Sequence, residues 1–173
     1  MNNRKFYLAF AFFSFSMAAI AQNNDIHLYG QLYDSASSKK MKEGSVLVKR
    51  DGIDFMLEPT QKGGKYDFLL PVGFVYDVKF DGPTHLPKTI RIDAKNVPLG
   101  KKMIGCDMQI DAPLYSDIEG FNEEVLYQPI GLCQYSEKLD GMEFNVEYGN
   151  RRQAEVKNEL ERVGHAKPSG MKK

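Results

Sequence analysis

Apolar and polar side chains alternate with a period of two in six short runs between residues 26 and 92, and turn residues separate each run from the next. That period places every second side chain on one face of a pleated strand. Ile26, Leu28, Gly30 and Leu32 alternate with His27, Tyr29, Gln31 and Tyr33. After the polar loop at 34–40, Val46 and Val48 mark a second run. Asp51-Gly52 is a two-residue hairpin signal, because both positions of such a turn need positive φ. Ile53, Phe55 and Leu57 then read as inward, and Pro59 ends that strand because it has no N–H to donate. Tyr66, Phe68 and Leu70 lead through Pro71-Val72-Gly73 to Phe74, Tyr76, Val78 and Phe80. Ile90 and Ile92 close the series within Lys88-Thr89-Ile90-Arg91-Ile92-Asp93. No helical period intervenes, so the pattern predicts a mainly β, antiparallel sandwich or barrel. Tyr66, Phe68, Tyr76, Val78, Phe80, Ile90 and Ile92 are expected to share its core.

The same residues carry a resemblance. Gly30-Gln31-Leu32-Tyr33-Asp34 looks like the opening G-x-[VL]-x-D of carboxypeptidase regulatory-like domains. Ser45-Val46-Leu47-Val48 resembles a following strand of that family. Gly64-Lys65-Tyr66-Asp67-Phe68-Leu69-Leu70-Pro71-Val72-Gly73 resembles its G-x-Y-x-F-x-L-P-x-G hairpin. Tyr76 to Phe80 and Lys88 to Asp93 resemble the next two strands. The likeness covers about residues 25–95. Thr60-Gln61-Lys62-Gly63-Gly64 departs from the family's T-D-x-x-G lead-in by lacking the Asp. The resemblance implies a prealbumin-like (transthyretin-like) Greek-key sandwich of about seven strands. It also implies a non-catalytic accessory of the kind found in bacterial envelope proteins.

Beyond residue 96 the pattern changes. Ile104, Cys106, Met108 and Ile110 alternate as a seventh strand, and residues 117–124 form an acidic stretch. A second hairpin is predicted over 130–148, from Ile130 and Leu132 through Leu139-Asp140-Gly141 to Met142, Phe144, Val146 and Tyr148. Asn150 offers an N-cap to a short helix over 150–163. Val156, Leu160 and Val163 would dock that helix, leaving Arg152, Lys157 and Glu161 exposed. The chain thus divides into a sandwich at 22–112, an extension at 113–164 packed on it, and a flexible basic tail at 165–173.

The first 21 residues read as a secretory signal peptide. Arg4 and Lys5 precede an apolar run of about 15 residues, and Ala19-Ile20-Ala21 supplies a small-x-small cleavage pattern. The mature chain would begin near Gln22, exported to the periplasm or associated with the outer membrane; an uncleaved anchor is the alternative. No later stretch is apolar enough to span a membrane. The chain has 23 basic and 23 acidic residues, and loss of Arg4 and Lys5 would leave 21 against 23, a net −2. That balance argues against a nucleic-acid partner.

Two cysteines remain. In an exported chain Cys106 and Cys133 are candidates for a disulfide closing a loop of about 28 residues, for about 3 kcal/mol in the chain-entropy model. Two buried thiols acting as small hydrophobes are the equal alternative. With His27, His85 and His165 scattered and no C-x-x-C, no metal site or other cofactor is expected. The acidic stretch lacks the ordered spacing of a calcium loop. No serine lies in a G-x-S-x-G elbow, and there is no phosphate-binding glycine motif, so no enzyme is expected.

His27, Tyr29 and Tyr33 form an outward aromatic row, a candidate binding face for a sugar or a protein partner. The extension, which must bury its own apolar side somewhere, is expected to cover it. The expected function is a non-catalytic exported module serving an envelope protein partner. The alternative is a glycan- or peptide-binding protein that uses the aromatic face.

Overall fold

The computed structural model describes residues 25–98 and 106–165. The signal segment, Ile104 and residues 166–173 of the tail lie outside the described residues. The elements are β1 (Asp25–Asp34), β2 (Ser45–Arg50), β3 (Ile53–Pro59), β4 (Lys65–Pro71), β5 (Val75–Asp81) and β6 (Lys88–Asp93). Then come β7 (Asp107–Gln109), β8 (Ala112–Leu114), a 3₁₀ turn (Glu123–Leu126), β9 (Gly131–Ser136), β10 (Gly141–Phe144) and α1 (Val146–His165).

Two sheets face one another as a β-sandwich. One has the order β4-β1-β7, with β8 also paired to β1; the other has the order β10-β9-β6-β5-β2-β3. Ile26, Leu28 and Leu32 of β1 and Tyr66, Phe68 and Leu70 of β4 meet Val46, Val48, Tyr76, Val78, Phe80 and Ile92 of the opposite sheet. The expected core residues are therefore together, except that Ile90 is only half-buried. The Tyr66 ring lies 5.3 Å from that of Phe80 and 5.8 Å from that of Phe68, between centroids. The Tyr66 hydroxyl donates to the Ile110 carbonyl, which satisfies the one polar atom this ring takes into the core.

The sheets are mixed rather than purely antiparallel. β1 pairs in parallel with β7 and β8, and β6 pairs in parallel with β9. Short hairpins force neighbours to be antiparallel, whereas strands joined by long connections are free to run the same way. Each parallel pair is of that second kind. Gly30 makes one of these pairings sterically feasible: a Cβ there would lie 2.1 Å from the Ile110 carbonyl oxygen. At Asp51-Gly52 both residues have positive φ, 50° and 83°, as the hairpin reading requires.

The strand over 53–59 forms, but its expected inward face does not. Ile53 and Leu57 are exposed, and Phe55 lies against Arg50 and Tyr76. A register shift between Val48 and Lys49 displaces the pleat, and it is Met56 that packs on the core.

In the extension, the hairpin is shorter and the helix longer than the pattern suggested. β10 ends at Phe144, and Val146 and Tyr148 belong to α1. Asn145, not Asn150, is the cap: its side-chain oxygen accepts from the Tyr148 N–H at 2.9 Å. Val156 and Val163 are buried and Leu160 is half-buried, and the helix lies against β9 and the 3₁₀ turn. Arg152 is a correction. It is buried, and its guanidinium donates to the carbonyls of Val125, Gln128 and Pro129 and to Glu155. A second tie joins Glu159 to the acidic stretch, through the Asn122 N–H at 2.8 Å. Arg162 and that N–H hold the Glu159 carboxyl down to about 2.

Candidate functional site

The side chains of β1 that point away from the core are His27, Tyr29, Gln31 and Tyr33. The strand places them in one row because Ile26, Leu28 and Leu32 take the other face. His27 sits between carboxylates supplied by its two neighbouring strands. Asp67 on β4 lies 2.8 Å from Nε2 and Asp107 on β7 lies 3.0 Å from Nδ1. The Tyr29 ring is tilted over the imidazole, with centroids 4.8 Å apart. The hydrogen bond to Asp67, then that to Asp107, raises the His27 pKa above its ordinary 6.5.

The sign of the resulting pH dependence follows from that direction. A histidine whose folded pKa is raised adds stability that is complete below the unfolded value. That stability disappears as pH climbs through the folded value. Proton NMR should find His27 titrating above 6.5, and Asp67→Asn should lower its midpoint. A midpoint at or below 6.5 in the unmodified protein would mean the carboxylates do not hold the ring.

Beside His27 the row opens into a groove of about 440 Å³, walled by Tyr29, Gln31 and Tyr33 of β1, Lys65 and Asp67 of β4, and Gln61, Gln109 and Asp111 from flanking segments. Gln31 is fixed by donating to the Gly63 carbonyl and accepting from the Tyr33 hydroxyl at 3.0 Å. Amides, carboxylates and two tyrosine rings around one depression can hydrogen-bond hydroxyls or amides while stacking on an apolar ring face. The expectation that the extension covers this face is not met. Among the described residues, none lining the groove comes from beyond 111, because β9 of the extension joins the opposite sheet beside β6 and α1 packs on β9.

Cys106 and Cys133 both carry thiols in the structure. Cys133 is buried in β9, and burial, aided by Glu143, pushes its thiol up to about 12. A thiol held protonated in this way is a poor nucleophile. Cys106 is partly buried against the same core. Among the described residues, no three of His, Cys, Asp and Glu are placed to hold a metal ion. No described helix is long and apolar enough to cross a membrane.

A second surface escaped the sequence reading. β3 is the terminal strand of its sheet, and Ile53 and Leu57 on it are 75% and 65% exposed. Edge position cannot be read from periodicity; only the absence of lysine within 53–59 was visible. Lys88 was also passed over, although it shares strand parity with the inward Ile90 and Ile92.

No protein-family model matches the chain and no curated protein is similar to it, so neither comparison identifies a carboxypeptidase regulatory-like domain.

Proposed function

We propose that the chain is a non-catalytic, exported binding module that serves an envelope protein partner in the periplasm or at the outer membrane. Export rests on the charged, apolar and small-x-small pattern of residues 1–21. The partner reading rests on one observation, the exposed terminal strand β3 with Ile53 and Leu57 turned to solvent. Such an edge offers unpaired N–H and C=O groups to an extended segment, which joins the sheet as one more strand. Asp54 on this strand already faces Lys49 at 3.5 Å, so Glu58 is the charge for which the complementary apolar segment supplies a basic residue.

Tagged protein recovered at native level from detergent-solubilised envelope should bring a partner with it. Ile53→Lys combined with Leu57→Lys should abolish that capture. Both side chains are exposed, so each change should alter stability by less than about 0.5 kcal/mol. Recovery of the tagged protein alone would end this reading.

The open groove beside His27 favours a second reading, a glycan or peptide ligand held on the aromatic face of β1. A glycan-array or peptidoglycan signal that disappears with Tyr29→Ala or Tyr33→Ala would move the function to that face.

A further inference from the structure

A separate cavity of about 360 Å³ lies where α1 closes over the sandwich. Its wall is mostly apolar, with Phe80 and Ile90 from the six-stranded sheet, Ile110 from the crossing segment, Ile130 before β9, and Val156 from the helix. Lys88 also lines it. This side chain is only 9% exposed, since β6 aims it inward with Ile92. Its ammonium donates to the Pro113 carbonyl and lies 4.4 Å from the centre of the Tyr115 ring. No ion pair among the described residues includes it. Burial alone accounts for its pKa, which falls to about 8. At neutral pH the cavity therefore holds a largely desolvated cation with one carbonyl and one ring face as its partners. A buried charge without a counter-ion is costly, and an anion delivered with an apolar body offsets that cost.

We propose that this cavity binds a small amphipathic monocarboxylate, its hydrocarbon body against Ile90, Ile130 and Val156 and its carboxylate on the Lys88 ammonium. Charge balance selects the single anion. Of the other charged side chains on the wall, Lys157 faces Glu161 at 3.7 Å and Asp111 is exposed to water, which leaves the one buried positive charge of Lys88. A phosphate monoester carries about −1.5 to −2 and would exceed it. The apolar wall excludes small hydrophilic acids, which would gain nothing from it.

Decanoate and its uncharged counterpart 1-decanol are the probes, titrated calorimetrically into the intact protein at pH 7. Decanoate should bind about tenfold to a hundredfold more tightly than decanol, the range for a hydrogen bond to a charged group. Lys88→Met keeps the length and apolar stem of the side chain, and it should erase that preference while leaving decanol affinity unchanged. Equal affinity for the two probes in the unmodified protein, no decanoate binding, or a preference that survives Lys88→Met would overturn the proposal. A readout on the unmodified protein guards against a variant that fails to fold. NMR of the lysine side-chain amines should show decanoate raising the Lys88 titration midpoint, and an unmoved midpoint at saturating decanoate counts against the site.

Discussion

Phe80→Ala is expected to destabilise the fold by about 3–5 kcal/mol, the range for deleting a fully buried aromatic side chain. Phe80 is completely buried. It reaches from β5 to the opposite sheet, where the Tyr66 ring meets it at 5.3 Å. Alanine would leave a void between two sheets that are each held by their own backbone ladders and so cannot collapse readily. The void would also merge with the cavity beside Lys88, which Phe80 lines. Domains of this size have about 5–15 kcal/mol in hand, so the loss is a large share of the total. Urea unfolding followed by far-UV circular dichroism measures it. A change below about 1 kcal/mol would contradict the packing described for this ring.

Arg152→Met is expected to cost about 2–3 kcal/mol and to act locally. Removing the guanidinium leaves the part-buried Val125 carbonyl without its donor, an orphaned group costing about 1–3 kcal/mol, whereas the Pro129 carbonyl keeps the Tyr148 hydroxyl at 2.7 Å. It also leaves Glu155 without its partner. The methionine keeps most of the apolar stem, so the loss reports the polar contacts rather than packing. Lys157→Met, on the exposed face of the same helix, should stay within about 0.5 kcal/mol. Native-state hydrogen exchange separates local from global effects. Amides of α1 should lose protection in Arg152→Met while those of β5 change less. Equal loss in both would mean that helix and sandwich unfold as one unit.

The contrast between these two residues shows what could be read from the chain. Although alternation misplaced Ile53 and Leu57 on the edge strand, Phe80 belongs to an alternating run bounded by turn residues, and that alternation predicts its burial. The same holds for Tyr66, Tyr76 and Val78, and for the Asp51-Gly52 turn, whose φ values its residue types accept. Arg152 sits one turn before Val156 on the docked side of a helix, but its type argued for solvent. Besides Glu155 on its own helix, the three carbonyls brought to it by residues 125–129 make burial tolerable, and that is a relation between segments about 25 positions apart. The Asn145 cap was missed for a nearer reason. Val146 and Tyr148 continue the parity of β10, so the strand pattern runs on into the first turn of the helix.

The candidate site divides in the same way. Residue order was enough to place His27, Tyr29 and Tyr33 on one face. It could not supply Asp67 and Asp107, which flank the imidazole only because β4 and β7 are the neighbours of β1.

Local periodicity and turn chemistry determined the β class, the hairpins and nearly all of the core, because both act over a few residues and need no knowledge of the rest of the chain. Tertiary structure alone decided the parallel pairings, the exposure of β3 and the side on which the extension lies. It also buried the Lys88 ammonium with no ion pair among the described residues. Each of these depends on which strands become neighbours, and that is settled by how the two sheets bury their common apolar faces rather than by any segment's own preference.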